Sequence, residues 1–306
     1  IEKNIKETFI SLNNESIEEK KYSKQKNIEN PKSNTSKDEY FEMVKKAREY
    51  IIAGDIFQVV PSQRFFTPFK ISPFKLYKSL RKINPYPYMY YLDLEDFYIV
   101  GSSPETLVKT ENNKITIKPI AGTRLKQEYP NRELEKELLS DPKERAEHLM
   151  LLDLGRNDVG RVAKIGSIKV KNPFSIQETS NLIHIVSTVE GDLREDEDQI
   201  SSLSAGFPAG TVSGAPKIRA MEIIDELEKE KRGIYAGAVG YFSANGDMDT
   251  AIALRTAIIK DEMMYVQAGG GVVYDSNEEY EYNETVNKSQ ALFKAAKDAI
   301  LNNLKE

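Results

Sequence analysis

Two stretches of the chain place carboxylates in pairs three residues apart: Glu144 and Glu147 in Lys-Glu-Arg-Ala-Glu-His148, and Glu281 and Glu284 in Glu-Tyr-Asn-Glu-Thr-Val-Asn-Lys288. On a helix that spacing puts both members of a pair on one face. If the two faces oppose, four carboxylates converge. The chain has no cysteine and only two histidines, His148 and His184, so a metal there must be held by oxygen, and hard, partly hydrated Mg²⁺ suits such a set. The same pairs also suit two solvated surface helices. Lys288 shares the face of Glu281 and Glu284, and Gly269-Gly270-Gly271 just upstream would let backbone approach a ligand closely.

A second candidate is Gly206-Phe-Pro-Ala-Gly-Thr-Val-Ser-Gly-Ala-Pro-Lys-Ile-Arg-Ala-Met221. It reads as a glycine-rich loop feeding a helix, with Pro216 in the first turn and Met221, Ile224 and Leu227 at helical spacing. Unpaired amides at such a start attract carboxylate or phosphate, although an ordinary loop-to-helix junction has the same pattern. It is not a Walker loop, since Lys217 follows Ala-Pro and no Ser or Thr comes after it. His184 and Arg255 fall in apolar runs that read as strands. A satisfied core histidine is the commoner reading of the first, whereas a buried arginine calls for a carboxylate partner. Asp153-Leu-Gly-Arg-Asn-Asp-Val-Gly-Arg161 reads as a structural turn held by Arg–Asp pairs.

These residues need a framework, and 306 residues with 40% hydrophobic and 30% charged content can build a sizeable core. No apolar run approaches the roughly 18 residues that span a bilayer, so no membrane segment and a cytoplasmic location are expected. A net charge of −5 argues against a nucleic-acid partner. Residues 1–36, rich in Lys, Glu, Asn and Ser, are expected to be a poorly ordered linker or remnant, with a folded domain over 37–306. Ser36 and Glu39 predict a capping box for a helix ending at Gly54. Strands are predicted over 55–60, 63–66, 88–94, 97–102, 106–110 and 114–119, with Asn112-Asn113 as a hairpin turn. Helices follow over 73–83, 131–139 and 142–154, then strands over 167–170, 184–190, 236–242, 249–259 and 262–268, and a last helix over 278–304. Antiparallel hairpins with segregated helices predict an α+β fold.

Taken together, the motifs Pro119-Ile-Ala-Gly-Thr-Arg124, Glu147-His-Leu-Met-Leu-Leu-Asp-Leu-Gly-Arg-Asn-Asp158, Gly210-Thr-Val-Ser-Gly-Ala-Pro-Lys217, Ala268-Gly-Gly-Gly271 and Glu284-Thr-Val-Asn-Lys288 resemble the catalytic subunit of anthranilate synthase, among the chorismate-utilising enzymes. The resemblance runs from about Lys37 to the C-terminus. It implies two large antiparallel sheets packed together with helices outside, and a Mg²⁺-dependent conversion of chorismate and ammonia to anthranilate and pyruvate, the first step of tryptophan biosynthesis. Glu147 and Glu284 match direct metal ligands, and Glu144 and Glu281 match acids that act through water. Thr211, Tyr235, Arg255, Gly269, Gly270, Gly271 and Lys288 match substrate contacts, as do Ala121, Gly122, Thr123 and Gly214. Glu105 matches the general acid for the departing hydroxyl, and His184 matches a residue of the elimination step. With no cysteine for a glutaminase, ammonia from glutamine would come from a separate amidotransferase subunit.

Two positions separate sibling activities within that resemblance. Aminodeoxychorismate synthases carry Lys where this chain has Ala121, and water-using isochorismate and salicylate synthases carry a Lys base where it has Gln58. Both favour anthranilate, with aminodeoxychorismate synthase, or a binding fragment without turnover, as the alternatives. Asn84, Pro87, Tyr88 and Met89 match one side of a tryptophan-inhibitor pocket. The family's N-terminal segment with Leu-Leu-Glu-Ser has no counterpart here, so weak tryptophan inhibition is expected.

Overall fold

The computed structural model describes residues 22, 25–125, 131–178 and 182–304. Ser36 accepts from the Glu39 amide and Glu39 accepts from the Ser36 amide, closing the expected capping box on helix α1 (Lys37–Ala53), which stops at Gly54 in the left-handed region. One sheet has six strands in the order β1 (Lys32–Ser33), β3 (Ser62–Pro68), β15 (Met263–Gly269), β14 (Thr256–Lys260), β5 (Tyr98–Ser103) and β4 (Tyr88–Asp93). The other runs β12 (Ala238–Phe242), β13 (Met248–Ile252), β6 (Thr106–Glu111), β7 (Lys114–Ile117), β10 (Leu182–Asp192) and β8 (Ile120–Leu125), with β9 (Lys169–Glu178) also on β10. A short ribbon pairs β2 (Gln58–Val59) with β11 (Gly214–Ala215). The pairings are antiparallel, and the α+β class is borne out.

Each sheet has its own helical cover. Helices α2 (Pro73–Ile83) and α7 (Glu278–Asn303) lay Leu76, Leu80, Leu292 and Ile300 on Val100, Ala257 and Val266 of the six-stranded sheet. Helices α4 (Pro142–Gly160) and α5 (Gln199–Gly206) lay Leu152, Val159 and Ala205 on Val108, Ile115 and Val189 of the other. Helix α3 (Asn131–Ser140) adds Leu138 against Ile183 and Ile185. Helix α6 (Lys217–Leu227) meets α1 around Val59 of β2. Full burial of each such Leu or Ile contributes about 1.5–3 kcal/mol, so these faces fix which way α4 and α7 point their opposite, acidic faces.

The chain passes between the sheets twice, at Pro104-Glu105 between β5 and β6, and at residues 253–255 between β13 and β14. The crossings are stitched together: the Ile252 amide donates to the Glu105 carbonyl at 3.0 Å, the Ser102 amide to the Arg255 carbonyl at 3.2 Å, and Ser103 Oγ to the Ile252 carbonyl at 2.6 Å. The single strand expected over 249–259 is therefore two strands of different sheets. Arg255 occupies the break, with φ at 48°, and not a strand position.

Three further expectations are corrected. The turn expected at 153–161 is the last stretch of α4, because Leu152 and Val159 continue its buried stripe. Gly206 ends α5, a helix whose Asp198–Ser201 capping box was not read from the sequence. Residues 1–21, 23 and 24 lie outside the described residues, but Lys32–Ser33 form an edge strand of the six-stranded sheet and Gln25 is tied to the chain beside it. There Gln25 Oε1 accepts from the Lys70 amide at 2.8 Å, and Lys32 and Ser33 pair with Phe66 and Phe65. Backbone pairing, the buried Gln25 amide and Ile28 against the six-stranded core hold this segment in place.

The helix start after the glycine-rich loop has no side-chain cap, and its first residue is tied back into the protein through its side chain. Lys217 Nζ donates to Asp158 Oδ2 at 2.7 Å and to the Gly206 carbonyl at 3.1 Å. Burial pushes the Asp158 carboxyl up and the Lys217 ammonium down, so each depends on the other to stay charged. Lys217→Met is expected to cost about 3–5 kcal/mol by stranding a buried charge, with the Asp158→Leu/Lys217→Met double change costing less. Urea unfolding midpoints of the three proteins would measure this, and equal losses in single and double variants would contradict it.

Candidate active site

Both crossings line a cleft of about 310 Å³, which also receives the acidic faces of α4 and α7. Glu144 and Glu147 enter from α4, and Glu281, Glu284 and Lys288 from α7. The faces do oppose: burial raises the Glu147 carboxyl first, and Glu144 and Glu284 raise it further. Burial likewise pushes the Glu281 carboxyl up, with Glu284 adding to the effect. Each pair also has its own cation. Arg124 Nη1 donates to Glu144 Oε1 at 2.7 Å while its Nη2 donates to Asp141 Oδ2 at 2.9 Å, and Lys288 Nζ lies 3.1 Å from Glu284 Oε1 and donates to the Gly269 carbonyl at 3.0 Å. His148, next to Glu147 in sequence, faces the other way: its Nε2 shares a 2.6 Å hydrogen bond with Ser187.

Among the described residues, no three acidic or imidazole side chains are already gathered at metal-holding distance. The donor chemistry nevertheless fits a hard cation. Glu281 Oε2 and Glu284 Oε2 would lie 3.0 and 3.2 Å from a Cβ at Gly270, so the two oxygens share a space that only a glycine leaves open. Half-buried carboxylates facing one another across a cleft, with Glu281 fully buried, call for added positive charge.

Glu105, at the first crossing, accepts from Thr211 Oγ1 at 2.8 Å. Burial raises its carboxyl to about 7, with the Thr211 bond and the charges of Lys288 and Arg255 pulling the other way. That is the range of a general acid at neutral pH. His184 on β10 stands opposite Gln177 on one edge and Thr123 on the other, and burial lowers its imidazole, favouring the neutral ring. Gln58 is 3% exposed, lines the cleft, and its Oε1 has no hydrogen-bond partner among the described residues. A buried orphan acceptor calls for a donor, from water or from a ligand.

Ala121, Gly122, Thr211, Tyr235, Arg255, Gly269 and Gly271 also line the cleft. Gly214 does not: a Cβ there would lie 2.2 Å from the Gln58 carbonyl, so its bare backbone serves the β2–β11 ribbon that carries Gln58. The Thr123 side chain lies outside the described residues. Of the inhibitor-like segment, Tyr86 and Pro87 reach the cleft. Asn84 instead caps α2 and accepts from Ser102 Oγ through its carbonyl at 2.6 Å, Tyr88 donates to Asp249 Oδ1 at 2.9 Å, and Met89 packs on the six-stranded core. Two residues the sequence did not single out matter here. Arg124 reads only as part of a motif, and Arg232 as one of several charges closing a helix.

The profile of the chorismate binding enzyme family matches residues 2–294. The chain is 60% identical over 270 residues to anthranilate synthase component 1 of Cereibacter sphaeroides, covering 88% of this chain and 54% of that protein. It is 57% identical over 274 residues to the protein of the same name from Aquifex aeolicus, covering 89% and 56%. The crystal structure of anthranilate synthase component I from Streptococcus pneumoniae superimposes with a TM-score of 0.86 at 44% identity, covering 95% of this chain and 65% of that one. The chain thus spans about half the length of the curated relatives it matches.

Proposed function

We propose, for a chain that belongs to the chorismate-binding enzyme family, that residues 37–306 form the catalytic domain that converts chorismate and ammonia to anthranilate and pyruvate. The observation that carries this reading is the half-buried Glu105 carboxyl, which accepts from Thr211 in the same cleft as two opposed acidic helix faces and is raised to about 7 there. Ammonia adds at C2 of the ring as the C4 hydroxyl leaves, and Glu105 gives that hydroxyl its proton so that water departs. Pyruvate is then eliminated and the ring becomes aromatic, with neutral His184 beside it. Glu147 and Glu284 would hold Mg²⁺, with Glu144 and Glu281 acting through water, and the ion would supply positive charge for a substrate carboxylate that the glutamates would otherwise repel. Lys288, Arg255 and the 269–271 backbone complete the binding of the dianion. In the cell the ammonia would come from a partner glutamine amidotransferase, since this chain has no cysteine nucleophile, and the setting would be the cytoplasm.

Gln58 accounts for the choice of nucleophile. Neutral ammonia carries its own lone pair, and the unpartnered Oε1 can accept one of its N–H groups. Water at pH 7 needs a base, which an amide cannot be. Gln58→Lys is expected to lower ammonia-dependent anthranilate formation and to yield traces of isochorismate. Chromatographic product analysis with and without ammonium tests this, and an unchanged anthranilate yield would remove Gln58 from the mechanism. Ala121, 7% exposed in the cleft wall, favours anthranilate over aminodeoxychorismate as the released product.

A further inference from the structure

We infer that Arg232 is a positioning residue for this site, setting Thr211 against Glu105; the inference rests on the function proposed above. In the sequence it belongs to the run Lys229-Glu-Lys-Arg232, which looks like solvated charge at a helix end. In the fold, α6 stops at Leu227 and the Arg232 side chain turns inward to 16% exposure. Its guanidinium binds three chain segments at once. Nη1 donates to the Val212 carbonyl at 2.6 Å, Nη2 donates to the Val60 carbonyl at 2.5 Å, and the face of the group lies 5.4 Å from the centre of the Tyr235 ring. Val212 adjoins Thr211, and Val60 lies two residues beyond Gln58.

The charge itself is balanced elsewhere. Glu228, 5% exposed, accepts from Arg232 Nε at 3.0 Å and Nη2 at 2.6 Å, and also from the Ser62 amide and hydroxyl at 2.8 Å each. A buried ion pair alone would need only Glu228; the bonds to two carbonyls beside site residues are additional. Val212 and Tyr235 also border a second cavity, of about 280 Å³, which Arg232 lines as well. That stretch of cleft wall therefore has space behind it, and the guanidinium spans it. Lysine cannot replace this fork, because an ammonium lacks the planar, several-pronged geometry needed to hold a carboxylate and two carbonyls together.

The role reaches Glu105 through Thr211. The other charged groups bearing on Glu105 are Lys288 of α7 and Arg255 of the second crossing, and Arg232 is not among them. Loosening Val212 withdraws the Thr211 hydroxyl, removes a hydrogen bond that favours the carboxylate, and lets Glu105 keep its proton to higher pH. The test is a carboxyl-carbon NMR titration of the whole chain labelled at glutamate, with the Glu105 signal assigned by its loss in Glu105→Gln. Wild type, Thr211→Val, Arg232→Lys, Arg232→Met and Thr211→Val/Arg232→Lys are compared. The expected result is a raised Glu105 midpoint in each single variant, no further rise in the double variant, and a kcat for ammonia-dependent turnover lower by roughly 10- to 100-fold with a smaller change in chorismate KM. An unmoved midpoint in Arg232→Lys while Thr211→Val shifts it, or additive shifts in the double variant, would overturn the inference. Should Arg232→Met fail to fold, Arg232→Lys carries the comparison. Absence of anthranilate from the wild-type chain would count against the proposed function, while the titration would still decide the role of Arg232.

Discussion

Replacing Glu105 by glutamine is expected to lower ammonia-dependent anthranilate formation by about 10²–10⁴-fold, the usual contribution of a placed general acid. Glutamine keeps the size of the side chain and a carbonyl that can still accept from Thr211, so the loss would report the missing proton and not a collapsed site. The wild-type pH profile should carry the same signature. Glu105 must be protonated to act and its carboxyl is raised to about 7 by burial, so kcat should fall as pH rises through that value. The rates must be compared at constant neutral ammonia, whose fraction rises with pH and would otherwise mask the fall. The stability linkage has the same sign: a carboxyl whose folded pKa lies above its unfolded value near 4.5 stabilises the fold fully below that value, and the contribution is lost as pH rises through about 7. Glu105→Gln should therefore be stabilised relative to wild type at pH 8 more than at pH 5. A variant with wild-type rate, or a rate that does not fall above pH 7 at fixed ammonia, would exclude Glu105 as the acid.

Changing Glu147 or Glu284 to glutamine is expected to reduce activity at limiting Mg²⁺ by at least 10- to 100-fold, the scale already seen when residues behind a metal ligand are changed. Removing one carboxylate also relieves repulsion within the cluster, since Glu144 and Glu284 both raise the Glu147 carboxyl. The variants should therefore be no less stable without metal, and they should lose the stabilisation that added Mg²⁺ gives the wild type. Thermal unfolding with and without Mg²⁺ reads this independently of turnover. Equal Mg²⁺-induced stabilisation in wild type and both variants would remove these residues from the metal site.

Much of this site was legible in the sequence because its parts are local. The i,i+3 carboxylates need only two turns of helix to share a face, and the first of the two helices is recognisable from its cap, Asp141 before Pro142, while the Asn277 cap of the second is seen only in the structure. The Asn112-Asn113 hairpin was legible for a similar reason: both residues adopt positive φ, which asparagine tolerates. What was not legible depends on partners distant in sequence. Arg255 looks like a strand residue until the chain is seen to change sheets there. Gly214 looks like a ligand contact until the Gln58 carbonyl is found against it. The loop before α6 looks like an ordinary junction or an anion site, and nothing local announces that Lys217 bonds to Asp158, 59 residues away. Arg232 looks solvated because nothing in its neighbourhood announces carbonyls from residues 60 and 212.

The most direct test of the central claim is to incubate the purified chain with chorismate, Mg²⁺ and an ammonium salt, with no amidotransferase present, and to follow anthranilate fluorescence together with pyruvate. The account predicts anthranilate and pyruvate in equal amounts, dependent on both Mg²⁺ and ammonium. Chorismate binding without either product, or aminodeoxychorismate accumulating without pyruvate, would contradict it.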